Sequence, residues 1–307
     1  MTVARRNAAS PAAFPYAGYP ALLQAADAAA VGGQRAYVRL IRLELSLVIL
    51  GAVLGSAAAF HPSLATALPV LGAISFLAAA VLKMVSRDRR YDRQWFDARA
   101  VAETVRGAAW RYMMRVPPYD DDATADVALT GELRGALGAR PELHGALPAA
   151  PGGTRQISPD MRAERGGSVG ERRDRYRAAR VSEQLAWYRE KGAWHRRRST
   201  QFFWLALAAQ VAAIGVVGLG LVDPSLARFN FLGLLAAVAT AATAISQLNR
   251  HDDLSRTYGR ALHELSLIDG LAESAATEAQ LTGIVSDAEG VIGREHSAWI
   301  SRGAVGR

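Results

Sequence analysis

LPVLGAISFLAAAVLKMVSRDRRYDRQWFDARAVAETVRGAAWRYM, residues 68–113, decides the fold. Residues 68–82 carry no charge. Lys83 and a run of arginines follow, and the chain then changes character. From Trp95 onward, Ala98, Ala102, Val105, Ala109 and Tyr112 recur in steps of three and four, which makes one apolar helical seam. Arg99, Glu103, Arg106 and Arg111 occupy the other face, and Arg99, Glu103 and Arg106 are expected on exposed or inter-subunit surfaces. An uncharged helix that runs straight into an amphipathic one reads as a span leaving a bilayer. No proline lies between Val70 and Val116, so the spacing predicts one continuous helix, ended by Pro117 and Pro118. About 45 residues at about 1.5 Å each make a rod of roughly 65–70 Å.

Three stretches lack Asp, Glu, Lys and Arg altogether: residues 45–82, 199–222 and 229–249. A membrane-crossing helix needs about 20 apolar residues. The first stretch therefore holds two spans folded back at Pro62 and Pro69, and the others hold one each. The expected spans are about 42–60, 68–85, 201–222 and 229–248. Buried helices of soluble proteins are apolar too, but seldom on every face over such a length. The first 40 residues have no apolar core with a small-residue cleavage site, so no signal peptide is expected.

Sixteen Lys and Arg residues flank the spans on the side that holds both termini, against Arg228 alone in the two connecting hairpins. This asymmetry places both termini and the middle of the chain in the cytoplasm. The net charge of +8 then belongs to a membrane face rather than to nucleic acid, for which no recognition motif is present. With no cysteine, disulfides and thiolate metal sites are excluded.

The two hairpins read as copies. HPSLATALP at 61–69 matches DPSLARFN at 223–230, and Arg87 then falls opposite Arg250. In the same register Trp95 pairs with Tyr258, Ala98 with Ala261, Ala102 with Leu265, and Val105 with Ile268. The expected fold is an all-α integral membrane protein. It has two parallel repeats of a transmembrane helical hairpin, each followed by a long amphipathic cytoplasmic helix. Residues 1–18 form an N-terminal polar segment, 19–137 the first unit, 138–170 a Gly/Pro-rich linker and 171–307 the second unit.

Three phrases together resemble the SLATT family, named for its association with SMODS nucleotidyltransferases and SLOG sensors. They are WFDARAVAETVRGAAWRYM with the following VPPYDDD, QISPDMRAERGGSVGERRDRYRAARVSEQLAWYREKGAWHRR at 156–197, and VIGREHSAWI at 291–300. The resemblance spans about Tyr19 to Trp299 and implies two fused two-span units. It implies an oligomeric pore-forming effector of a bacterial conflict or defence system, set in the inner membrane and triggered by a nucleotide-sensing or nucleotide-synthesising partner. A non-conducting scaffold or receptor that docks a cytoplasmic partner is the alternative.

No catalytic motif is present: P-loop, GxSxG, HExxH and the dinucleotide fingerprint are all missing, so neither an enzyme nor a cofactor is expected. His251 to Asp253 read as a polar helix face, because neighbours on a helix diverge by about 100° and make poor joint ligands. Glu295 and His296 are expected to pack within the last helix. Gln210, Thr240, Thr243 and Ser46 are the polar candidates for lining a pore or bonding between helices. Trp95, Val105, Tyr258, Leu265 and Ile268 should hold the cytoplasmic bundle, and Gly51 and Gly55 should allow close packing. The partners expected are the lipid bilayer and further copies of the chain.

Overall fold

The computed structural model describes residues 14–57, 62–150, 153–222 and 231–305. Among them there is no strand. The chain divides into two compact units, Met1–Arg172 together with His296–Arg307, and Arg173–Glu295.

In the first unit, α1 (Ala21–Ala57) is one unbroken helix of 37 residues, about 55 Å long. It packs along α2 (Ala67–Arg89) and α3 (Tyr91–Met113). The expected rod from the second span is therefore corrected: α2 stops at Arg89, and Arg90 takes a left-handed conformation with φ 47° before α3 begins. An L-residue pays roughly 1–2 kcal/mol for that conformation. The break is sustained by α3, whose seam residues Ala98, Ala102, Val105, Ala109 and Tyr112 are all buried. The long rod is instead α1, the helix that enters the apolar region from the N-terminal side.

The charged face of α3 is also enclosed, contrary to the exposed position expected for it. Arg106 and Arg99 both bind Glu103, at 2.8 and 3.2 Å, with side chains no more than 16% exposed. Phe14, from the segment read as polar, is buried in the same unit. Phe14 and Tyr19 pack edge-on against the Trp110 ring, and Trp110 Nε1 donates to the Tyr19 hydroxyl at 3.0 Å. Residues 1–13 lie outside the described residues.

After α3 come α4 (Ala125–Gly138) and α5 (Pro159–Arg165). The stretch read as a linker thus carries ordered structure. Ser158 caps α5 by accepting from the Met161 amide at 3.1 Å, and its hydroxyl donates to the Gly18 carbonyl at 2.6 Å. Met161 is fully buried.

A single helical run of 54 residues, Val169–Val222, leads into the second unit. It comprises α6 (Val169–Tyr176), a π-helical turn at Arg177–Val181, and α7 (Ser182–Val222). Then follow α8 (Phe231–Leu248), α9 (His251–Ala272) and α10 (Glu278–Val305). Once more the outgoing helix is broken: Arg250, φ 46°, separates α8 from α9. This landmark corresponds to Arg90, three residues beyond the Arg87 that the sequence set opposite Arg250. DPSLARFN, the second copy of the hairpin phrase, falls outside the described residues.

Candidate functional site

Each unit has a hinge where an apolar helix turns into its charged successor. In the first, Gly33 of α1 lets the backbone of α3 come close: a Cβ there would stand 3.0 Å from the Trp95 amide nitrogen and 3.2 Å from its Cα. Tyr37, one turn along α1, packs its ring 6.2 Å from that of Trp95. Glu44 pairs with Lys83 of α2 at 4.0 Å, not with its neighbour Arg42. In the second unit, Gly192 of α7 lies 3.6 Å, measured from an added Cβ, from the Tyr258 Cβ of α9. Trp187 and Tyr188 pack on the Tyr258 ring at 5.1 and 6.1 Å. A glycine on the incoming helix, an aromatic on the outgoing one and a left-handed arginine before it recur in both units. At Gly33 glycine is needed because a side chain would press on the α3 backbone, whereas at Gly192 an added Cβ would make only ordinary contact.

Val105, Tyr258 and Leu265 are buried, as their seam positions imply, while Trp95 and Ile268 are half-buried. Gly51 faces Gly72 of α2, with an added Cβ only 3.0 Å from the Gly72 carbonyl oxygen, whereas Gly55 faces open space. Among the described side chains, the apolar parts of α7 and α8 bury only small residues, Ala206, Ala209 and Ala213 on one and Ala239 and Ala242 on the other. Gln210, Thr240, Thr243 and Ser46 are all exposed. Thr243 turns its hydroxyl back to the Ala239 carbonyl of its own helix at 3.0 Å. None of the four is enclosed between the helices of its own unit.

Two further clusters tie down the helices outside the apolar stretches. Arg165 and Arg172 donate to the Tyr112 and Met114 carbonyls at 2.8 and 2.9 Å, so two buried cations close the C-terminal end of α3. Arg165 also bonds Asp122 and holds that carboxyl below its usual range. In the second unit, Arg180 in the π-turn makes two 2.8 Å bonds to Glu289 of α10, and the Tyr176 hydroxyl adds a third at 3.0 Å.

The model of the SMODS and SLOG-associating 2TM effector domain 3 matches residues 20–173, and that of domain 1 matches 176–299. The chain belongs to the SLATT family. It holds two fused SLATT units, whose matches meet between residues 173 and 176, next to the division of the structure at Arg172 and Arg173. No curated protein and no solved structure matches the chain.

Within the SLATT units, the phrases that carried the resemblance meet in space. VPPYDDD supplies Asp122 and the following segment Asp126, and these bind Arg165 and Arg162 from the RAER stretch. Sequence reading missed these arginines because the stretch is rich in glycine and proline. The signal available was Ser168-x-x-Glu171, a capping box that the structure closes from the Ser168 amide to Glu171 at 2.8 Å. Sequence reading also missed His195, which is half-buried and lies 2.9 Å from His251, and so His251 is buried against a second ring rather than on a polar face. Nothing in the spacing of two histidines on separate helices announces that contact. Glu295 lies within α10, and the side chain of His296 lies outside the described ones. Among the described residues no three His, Cys, Asp or Glu side chains gather to hold a metal.

Proposed function

We propose that this SLATT protein is an oligomeric pore-forming effector of the bacterial inner membrane, gated through its cytoplasmic helices. The family's description as a two-transmembrane effector supports the setting. Among the described residues, two helices are long and apolar enough to cross a membrane, in Ala67–Met113 and Val169–Val222, and only 17% of each apolar window is buried. A soluble core would hide such surface; lipid or neighbouring copies would cover it here. The remaining two spans, at 42–60 and 229–248, complete two hairpins with both termini in the cytoplasm, as the arginine asymmetry requires.

The observation that carries the pore is the outward placement of the polar span residues. Gln210 and Thr240 are exposed, while the side chains described as buried in the apolar parts of their helices are alanines. A wet path built from them has to form where copies meet, so the active species is a homo-oligomer. The hinges would let α3 and α9 tilt the spans when an upstream nucleotide-sensing or nucleotide-synthesising protein engages them. No step of this reading needs a cofactor or bond-making chemistry.

Ion and dye flux from liposomes containing the purified chain tests the proposal. Flux of small ions with a sharp size limit, reduced by Gln210→Leu, is the expected result. A chain that stays monomeric in nanodiscs and passes no ions, even with cell extract supplying a trigger, would instead favour a scaffold that docks a cytoplasmic partner.

A further inference from the structure

His195 and His251 meet across the second hinge, Nδ1 to Nδ1 at 2.9 Å. One nitrogen must donate and the other accept, so two neutral rings in different tautomers make the bond. His251 is the first residue after the left-handed Arg250, where α9 starts. The pair sits in an aromatic box. Phe202 stacks on His251 at 5.8 Å, Trp194 meets it edge-on at 5.4 Å, and Tyr258 lies 5.7 Å from His195.

The charges that act on the pair are cationic. Lys191 bears on His195 and Arg198 on His251, both from α7. From α9, Asp252 and Asp253 are exposed, and Asp252 is bound to Arg256 at 2.7 Å. Glu190 on α7 is exposed as well. Burial first presses both rings toward the neutral form, followed by His251 and Lys191 for His195 and by Arg198 for His251. The same positive surroundings oppose a metal ion, and no third ligand gathers with the pair among the described residues.

We propose that the His195–His251 pair is a proton-operated latch, which holds α9 against α7 while at least one ring is neutral and lets it go when acid protonates both. A first proton goes to the free Nε2 of the donating ring and leaves the bond in place. A second can go only to the accepting Nδ1. That turns the acceptor into a donor, sets two N–H groups against each other and places two cations in the aromatic box. The hinge of the first unit has no histidine: Tyr91 follows Arg90, and the ring contact there is Tyr37 with Trp95. The molecule thus carries its own comparison.

The chain has no cysteine, so paired labels can be placed without background. Spin labels on Arg189→Cys and Arg260→Cys report the second hinge, and labels on Arg39→Cys and Thr104→Cys report the first. All four positions are exposed. Distances are read in nanodiscs from about pH 7.5 to about pH 4. The expected result is a longer or broadened distance in the second unit alone, by about one helical turn of 5 Å. The change is lost in His195→Phe/His251→Phe and in the polar replacement His195→Gln/His251→Gln. A second-unit distance constant across the range would overturn the latch. So would the same change in either double variant, or a first-unit distance that moves in step. The readout is a distance and not conductance, so the latch is judged separately from the pore.

Discussion

Gly32 and Gly33 are neighbours in α1, yet substituting them should move stability in opposite directions. A Cβ on Gly32 meets nothing within 4 Å. Gly32→Ala then gains only the helix preference of alanine, about 1 kcal/mol. A Cβ on Gly33 would sit 3.0 Å from the Trp95 amide nitrogen and 3.2 Å from the Tyr91 carbonyl oxygen. Both are backbone atoms of α3, which cannot swing aside as a flexible side chain does. Overpacking of this kind costs about 1–3 kcal/mol, which outweighs the same gain in propensity. Gly33→Ala should therefore lose up to about 2 kcal/mol, and Gly33→Leu more, as α3 is pushed off α1. The assay is denaturant unfolding in detergent followed by helical circular dichroism, with Trp95 fluorescence reporting the local contact. If Gly33→Ala were stabilised as much as Gly32→Ala, the close approach at the hinge would be refuted, and with it the account of why α3 docks after the break.

Other consequences can be checked alongside. Glu289→Leu leaves Arg180 buried without its carboxylate and should cost about 3–5 kcal/mol, whereas Arg180→Met with Glu289→Leu should recover most of the loss in the same unfolding assay. Gly72→Ala drives a Cβ to 2.9 Å from the Gly51 carbonyl oxygen and should weaken the first hairpin, while Gly55→Ala, facing open space, should not; a protease-protection assay in nanodiscs would separate them. His195 has its pKa lowered to about 4 from 6.5, first by burial and then by His251 and Lys191. The unfolded chain therefore binds more protons, and this contribution to stability is complete above about pH 6.5 and is lost as the pH falls toward about 4. A melting temperature that did not drop between those values, or dropped as far in His195→Phe/His251→Phe, would contradict the assignment.

The sequence by itself determined the all-helical character and the long apolar stretches. Those features are written as local periodicity and charge, and Val105, Tyr258 and Leu265 lie buried where their spacing put them. It also determined the family, through phrases whose order survives without any contact being known. Tertiary structure decided where the outgoing helices break. The breaks use Arg90 and Arg250, which lack the glycine or proline that marks such a site in a sequence, because docking along α1 and α7 compensates the strain. It also decided that Arg99, Glu103 and Arg106 are enclosed, which their spacing along one helix does not record. The pairs His195–His251 and Arg180–Glu289 join positions 56 and 109 residues apart. A local pattern records what each helix needs to bury; which partner meets that need is settled only when the helices pack.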